Sequence, residues 1–148
     1  MKNILIFTHG DFSKGIAHSL SFILGDVSNV KTMSITLDQS IEDIRETLEQ
    51  TVCSFENQYP TIILTDIPGG STTQCAMNYL SMHENVYVVS GLNLGLLMEL
   101  SFLRLDENVE SNKAKIREIV MHARETISLL NDSMTDADEE LLIDDGEL

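Results

Sequence analysis

The chain has 148 residues, 43% of them hydrophobic, which suits one domain large enough to bury a core. Its formal net charge is −15, but eight of its 24 acidic residues and none of its 9 basic residues fall within residues 132–148. The rest of the chain is moderately acidic and has no basic stripe, which argues against a nucleic-acid partner. An acidic surface instead favours a basic protein partner.

The sequence predicts a soluble, cytosolic protein. The chain opens without a basic and apolar leader, and no apolar run approaches the roughly 18 to 20 residues that cross a bilayer. Cys53 and Cys75 each fall inside a predicted helix and outside any metal-binding spacing. We therefore expect two small core residues and no disulfide.

The first half of the chain predicts two βα units, because short β-branched runs alternate with helical periodicities. A strand over residues 3–7 leads into a helix over residues 13–24 that ends at Gly25. The apolar face of this helix is predicted to be Ile16, Leu20, Ile23 and Leu24. A second strand over residues 31–37 precedes a helix that begins near Ser40, where Asp43 completes a capping box. Its predicted buried face is Ile41, Ile44, Leu48 and Val52.

The second half repeats this pattern twice and ends in a further helix. The predicted strands cover residues 61–65, after Pro60, and residues 86–90. One predicted helix follows the first of these strands and extends to Met82, a second runs from Asn93 to Leu103, and a third covers residues 111–130. We expect Ser71 or Thr72 to cap the first of these helices. The pattern predicts an open, mainly parallel, twisted α/β sheet of four or five strands with helices on both faces. This three-layer α/β/α domain covers residues 1–130, and residues 131–148 form an acidic tail.

Polar segments follow three of the predicted strands. His9 comes just after the first strand, Asp66 ends the third ahead of Gly69-Gly70-Ser71, and Ser90-Gly91 ends the fourth. Because the carboxyl ends of parallel strands share one edge of a sheet, we expect these segments to meet in one crevice.

His9 and Asp66 have the chemistry of a nucleophile and its orienting carboxylate. A carboxylate bonded to one imidazole nitrogen fixes the tautomer, leaves the other nitrogen free to attack, and stabilises the cation that forms. The amides of a glycine-rich turn at a helix start form an anion site. The sequence therefore predicts a phosphoryl group on His9, with Gly70, Ser71 and Thr72 around it.

Each of these features also has a purely structural explanation: Asp66 and the glycines can serve a turn and a helix start, and Ser90-Gly91 can serve close packing. The G-x-G-x-x-G and G-x-x-x-x-G-K-[ST] motifs are absent from the sequence, which argues against dinucleotide binding and P-loop hydrolysis. The other histidines fall on separate helices without i, i+4 pairing, so neither zinc nor another cofactor is predicted; they are His18, His83 and His122.

Taken in order, the motifs resemble the IIA component of the mannose family of bacterial sugar phosphotransferase systems. The resemblance covers residues 1–130 and implies that family's fold. It rests on Thr8-His9-Gly10 with Ser13 and Gly15-Ile16, on Thr65-Asp66 before Gly69-Gly70-Ser71, and on Val89-Ser90-Gly91-Leu92-Asn93 before an apolar helix. Ile67-Pro68 stands where many members carry an aromatic residue, and Thr72-Thr73 replaces the more usual Pro-Phe.

The resemblance implies a cytoplasmic phosphocarrier. Such a protein accepts a phosphoryl group on histidine from the phosphocarrier protein HPr and passes it to a IIB protein, which phosphorylates sugar that arrives through the membrane components IIC and IID. On the matching positions, His9 is the phosphorylated residue, Asp66 the carboxylate beside it, and Ser71 part of the phosphate pocket. Some members continue through a linker into a fused IIB domain, whereas this chain ends in an acidic segment, so we expect a separate IIB polypeptide. The resemblance also implies a homodimer.

The acidic tail has two interpretations. Subunits of this family can exchange an edge strand near the carboxyl terminus, and Leu141-Leu142-Ile143 is one candidate for such a strand. The composition equally favours a solvated acidic tail.

Two other functions stay open at this point. A related phosphocarrier that feeds dihydroxyacetone kinase shares the fold and the strand-end histidine, although Gly10 favours the sugar system. A non-catalytic α/β binding or regulatory module would never carry phosphate on His9. The sequence does not name the sugar.

Overall fold

The computed structural model describes residues 1–134 as a four-stranded parallel sheet with helices on both faces, which confirms the predicted α/β/α fold class. The candidate exchanged strand, residues 141–143, lies outside the described residues. In chain order the elements are β1 (Asn3–His9), α1 (Phe12–Leu24), β2 (Val30–Ile35), α2 (Ile41–Cys53), β3 (Thr61–Thr65), α3 (Ser71–Met82), β4 (Val86–Ser90), α4 (Leu94–Phe102), α5 (Val109–Glu125) and a 3₁₀ turn (Leu130–Ser133).

The strand order is β2-β1-β3-β4. The chain therefore moves outward from β1 to β2 and then crosses back to β3 on the other side of β1. This reversal makes the gap between the carboxyl ends of β1 and β3 a topological switch point, where open α/β sheets bind their ligands. Because Phe7 is in register with Thr65, His9 at the end of β1 lies close to Asp66, the residue that follows β3.

Two hydrophobic cores hold the helices on the sheet, because side chains alternate along each strand. In β1, Ile4 and Ile6 pack against α1, α4 and α5, whereas Leu5 and Phe7 pack against α2 and α3. All four side chains are at most 2% exposed, as expected for a parallel strand covered on both faces. No helix within residues 1–134 has both the length and the apolar character to span a membrane.

Lys2 lies at the end of the sheet opposite His9, where the strands begin. Its buried ammonium donates hydrogen bonds to the carbonyl oxygens of Ser101 (2.8 Å) and Leu103 (2.6 Å) at the end of α4. The last carbonyls of a helix carry partial negative charge, so a cation is favourable there. The amino group of Met1 donates to the carbonyl of Leu105 at 3.4 Å. The start of the chain is thereby held at the amino ends of the strands, remote from the carboxyl ends where His9 lies.

The bounds of β1 and β2 differ from the prediction for local reasons. β1 continues to His9 because its last residues still pair with Ile35 and its neighbour in β2. β2 ends at Ile35, short of Leu37, because the side-chain oxygen of Gln39 accepts the Thr36 N–H at 2.9 Å. That N–H is then no longer available to a neighbouring strand.

Helix α5 ends at Glu125, earlier than the predicted residue 130. Ala123 is its last buried residue, and three apolar side chains that follow are exposed: Ile127, Leu129 and Leu130. Three residues that were predicted to be buried are also exposed, at or near helix ends: Ile23, Ile41 and Cys53. Cys75 and the capping box at Ser40 are as predicted.

Leu64→Ala should lower the free energy of unfolding by about 3 kcal/mol, because Leu64 is fully buried in the inner strand β3 and its truncation leaves a cavity. Leu37→Ala is the matched control. This leucine is fully exposed, so the same truncation should change the free energy by less than about 0.5 kcal/mol. Chemical denaturation followed by circular dichroism measures both values, and equal losses would contradict the packing described.

Candidate functional site

His9 and Asp66 meet at the switch point between β1 and β3. The ring Nδ1 of His9 lies 2.8 Å from Oδ2 of Asp66, and the backbone N–H of His9 donates to the same oxygen at 2.9 Å. A carboxylate can only accept hydrogen bonds, so Nδ1 carries the proton and Nε2 keeps a lone pair. The structure thus brings together the two residues that sequence analysis assigned as nucleophile and orienting group.

Asp66 stays ionised although only 10% of its side chain is exposed. Burial by itself raises the pKa of this carboxyl, but hydrogen bonds from the His9 backbone, the His9 ring and Thr72 lower the pKa below its ordinary value. The second oxygen, Oδ1, accepts the backbone N–H of Ile67 and the Oγ1 hydroxyl of Thr72, both at 3.0 Å. Four donors therefore fill the acceptor positions of the carboxylate and fix its orientation.

Ser71 completes the surroundings of the His9 ring. Its Oγ lies 3.1 Å from Nε2, and the hydroxyl donates to the lone pair of that nitrogen. The expectation that Ser71 or Thr72 caps α3 is wrong, because Gly70 is the N-cap and both hydroxyl residues lie within the first turn. Their hydroxyls reach His9 and Asp66 instead of the helix backbone.

The start of α3 lies beside Nε2 and is a candidate anion site. The first N–H groups of an α-helix have no acceptor within the helix and carry partial positive charge. In α3 these groups belong to Ser71, Thr72 and Thr73. Helix starts of this kind hold phosphate groups in many proteins.

Gly69 and Gly70 give the turn before α3 its shape. Gly69 has a φ of +78°, a conformation that favours glycine. A Cβ on Gly70 would lie 3.3 Å from both Cε1 of His9 and the carbonyl oxygen of Ile67. The N–H of Gly70 is already bonded to that carbonyl, so Gly70 provides space for the ring and does not serve as a donor to a ligand.

A group of hydroxyls that sequence analysis missed braces the same turn. Thr73 Oγ1 donates to the carbonyl of Ile67 at 2.8 Å and lies 2.7 Å from Thr65 Oγ1 and 3.2 Å from Ser90 Oγ. Ser90, which we expected in the crevice, thus contacts Thr73. The sequence did carry a signal for this group: Thr65 and Ser90 end two successive strands, and Thr73 lies near the start of the helix between those strands.

The other three histidines have different surroundings. His18 is exposed on α1, and His83 stacks on Tyr79 with ring centroids 4.0 Å apart. His122 Nδ1 donates to Glu99 at 2.8 Å, and this hydrogen bond raises the pKa of His122. Within residues 1–134, no three His, Cys, Asp or Glu side chains form a cluster that could hold a metal ion. The residues gathered at the switch point are therefore one histidine, one carboxylate, and hydroxyl and amide donors.

This fold and site define a class of protein: a three-layer α/β domain that presents a carboxylate-oriented histidine beside a helix start. The family follows from comparison with known proteins. Residues 3–129 match the EIIA-man family, described as the fructose IIA component of the phosphotransferase system (PTS). The chain belongs to this family of PTS EIIA components, as its motifs predicted.

Individual relatives carry related names. The PTS fructose-specific EIIA component of Bacillus subtilis is 25% identical over 104 residues, which cover 70% of this chain and 71% of that protein. The sorbose-specific EIIA component of Klebsiella pneumoniae is 27% identical over 100 residues, covering 68% and 73%. The crystal structure of a PTS EIIA component from Streptococcus agalactiae has a TM-score of 0.75 at 29% identity, and covers 89% of this chain and 99% of that one.

Nitrogen-15 NMR should show the neutral ring of His9 with its proton on Nδ1, because Asp66 accepts from that nitrogen. In Asp66→Ala the ring should sample both tautomers. The exposed ring of His18 is the internal reference, and its signals should be the same in both proteins. A wild-type His9 protonated on Nε2 alone would contradict the geometry of the pair.

Proposed function

We propose that this protein is the phosphocarrier of a sugar phosphotransferase system, which accepts a phosphoryl group on Nε2 of His9 from phosphorylated HPr and passes it to a IIB component. The observation that carries the proposal is a ring held through Nδ1 by Asp66, with Nε2 turned towards Ser71 at the start of α3. A nitrogen suited to attack then lies next to a helix start suited to bind an anion, which supports the proposal. Membership of the EIIA family supports the same role.

Transfer begins when the lone pair of Nε2 attacks the phosphorus of phosphorylated HPr. A P–N bond forms at His9 while the bond between phosphorus and its donor atom on HPr breaks, and the electron pair of that bond returns to HPr. Nδ1 keeps its proton, so the phosphorylated ring is a cation that Asp66 stabilises. The hydroxyl of Ser71 no longer donates its hydrogen bond to Nε2 and donates it to a phosphoryl oxygen instead. Transfer to IIB runs the same steps in the opposite direction.

The protein contributes positioning and charge stabilisation, which are the main requirements of phosphoryl transfer. Asp66 fixes the ring before HPr arrives, so little reorganisation is needed at the moment of transfer. The amides at the start of α3 then face the oxygens of the phosphoryl group, where negative charge is concentrated.

The exposure of His9 suits a carrier that two partners reach in turn. Its side chain is 43% exposed, whereas Asp66 behind it is mostly covered. Phe12 and Ile67, which lie close to His9 and Asp66 in the chain, are also exposed and offer apolar contact area. HPr and IIB can therefore approach the same nitrogen from outside without disturbing the carboxylate.

This role implies a cytoplasmic protein with a IIB partner and an indirect link to membrane components IIC and IID, without nucleic acid or a cofactor. We also infer a homodimer. In support, the outer edge of β4 faces no other strand within residues 1–134. A mostly apolar groove runs beside that edge; it is lined by Val88, Val89, Ile116, Val120 and Met121, together with Ser90 and Arg117. The free backbone groups of an edge strand favour pairing with another chain.

Incubation with phosphoenolpyruvate, enzyme I and HPr should add one acid-labile phosphate to the wild type and none to His9→Ala, because Nε2 of His9 is the acceptor. His122→Ala is the matched control, since this exposed histidine pairs with Glu99 and should be dispensable. Intact mass before and after acid treatment gives the result. A folded wild-type protein that takes no phosphate from charged HPr would overturn the proposal and favour a binding role.

Ser71→Ala should slow phosphorylation by roughly 100-fold, because the variant lacks the hydroxyl that donates to the phosphoryl group. Ser71→Thr, which keeps the hydroxyl, should lose much less. Ser81→Ala, near the other end of α3, is the control and should behave as the wild type. Rapid-quench kinetics with phosphorylated HPr measures the rates; equal rates for wild type and Ser71→Ala would remove Ser71 from its role.

A further inference from the structure

Thr72 lies beside Ser71 in the first turn of α3 but has entirely different surroundings. Its side chain is fully buried, and its hydroxyl donates to Oδ1 of Asp66 at 3.0 Å. The hydroxyl of the exposed Ser71 instead faces Nε2 of His9. The Ser71 hydroxyl therefore lies on the side of the incoming phosphoryl group, and the Thr72 hydroxyl lies behind the carboxylate of Asp66.

We propose that Thr72 is a positioning residue for phosphoryl transfer, which holds the carboxylate of Asp66 ionised and correctly turned so that Asp66 in turn holds the His9 ring. This inference rests on the proposed function and deepens it. It also changes the role expected for the Thr72 side chain, which touches the orienting carboxylate and is too buried to meet a partner protein.

The geometry makes Thr72 the donor that joins α3 to the carboxylate. Of the four hydrogen bonds to Asp66, two come from His9 on β1 and one from the backbone of the adjacent Ile67. Only Thr72 reaches Asp66 from α3. Without the Thr72 hydroxyl, the backbone N–H of Ile67 would be the one remaining donor to Oδ1. No hydrogen bond from α3 would then oppose rotation of the carboxylate.

The charge on Asp66 is also sensitive to this contact. Burial favours the neutral form of the carboxyl, and the donors, Thr72 among them, reverse that preference and lower the pKa. A hydrogen bond to a charged group is worth more than one between neutral groups, so the loss of one donor has a measurable effect on ionisation.

Few other charges act on this carboxylate. His9 on β1 is the titratable group in contact with it, and Asp11 and Lys14, which follow β1, pair with each other at 2.9 Å. Asp38 follows β2, on the far side of β1 from Asp66. The first turn of α3 and the segment between β4 and α4 carry no charged side chain. A change in the titration of Asp66 after substitution of Thr72 therefore reports on the hydroxyl.

The test uses the full chain with Thr72→Val, which replaces the hydroxyl by a methyl group of similar size, and Thr72→Ser, which restores the hydroxyl. Thr73→Val is the matched control, because its hydroxyl bonds Thr65, Ile67 and Ser90 and makes no hydrogen bond to Asp66. Carbon-13 NMR of the Asp66 carboxyl in the unphosphorylated protein gives its titration midpoint. Steady-state rates with phosphorylated HPr give kcat and KM.

We expect Thr72→Val to raise the midpoint of Asp66 by about one pH unit, the effect of one lost charge-assisted hydrogen bond. We expect its kcat to fall roughly tenfold at an unchanged KM, because a fully buried hydroxyl cannot contact HPr. Thr72→Ser should restore both values, and Thr73→Val should leave the Asp66 midpoint at its wild-type value.

An Asp66 midpoint that does not move in Thr72→Val would overturn the inference. So would an equal shift in Thr73→Val, or a loss of kcat that Thr72→Ser does not restore, since either result would indicate packing and not the hydroxyl. Failure of the proposed function looks different, because the wild type then takes no phosphate from HPr. The kinetic part of the inference falls in that case, while the carboxyl titration still decides whether Thr72 controls Asp66.

Discussion

The buried charge of Asp66 is the constraint on which the functional edge of this molecule depends. Removing a carboxylate from water costs several kcal/mol, and that cost is offset only when donors surround the group. Here the donors come from β1, from the turn after β3 and from the start of α3. Each segment must reach its final position before the charge is satisfied, so completing the fold and assembling the site are one process.

The topology explains why such a site can form from residues that are far apart in sequence. His9 and Asp66 are neighbours only because β3 returns beside β1 after β2 has been placed on its other side. From this point α1 leaves towards one face of the sheet and α3 towards the other. The ring of His9 thus stands in an opening between two layers, with a rigid sheet beneath it.

Sequence reasoning recovered what depends on local pattern and on general properties of parallel sheets. The apolar runs of the strands predicted the sheet, and the rule that strand ends share an edge was sufficient to group His9, Asp66 and Ser71. It failed where the outcome depends on tertiary contacts. Both Ser71 and Thr72 suit a helix cap, and only the position of Asp66 and His9 directs their hydroxyls elsewhere. Similarly, the apolar periodicity of α5 continues past Glu125, whereas its contact with the core ends at Ala123.

The anchoring of the amino terminus has a practical consequence. Met1 and Lys2 are bound to the end of α4 and the residues after it, across the full height of the sheet from His9. A surface tether or fluorescent domain joined there would point away from the reactive ring and leave it open to solvent. The chain can therefore be immobilised in one defined orientation, with every copy presenting its histidine outward.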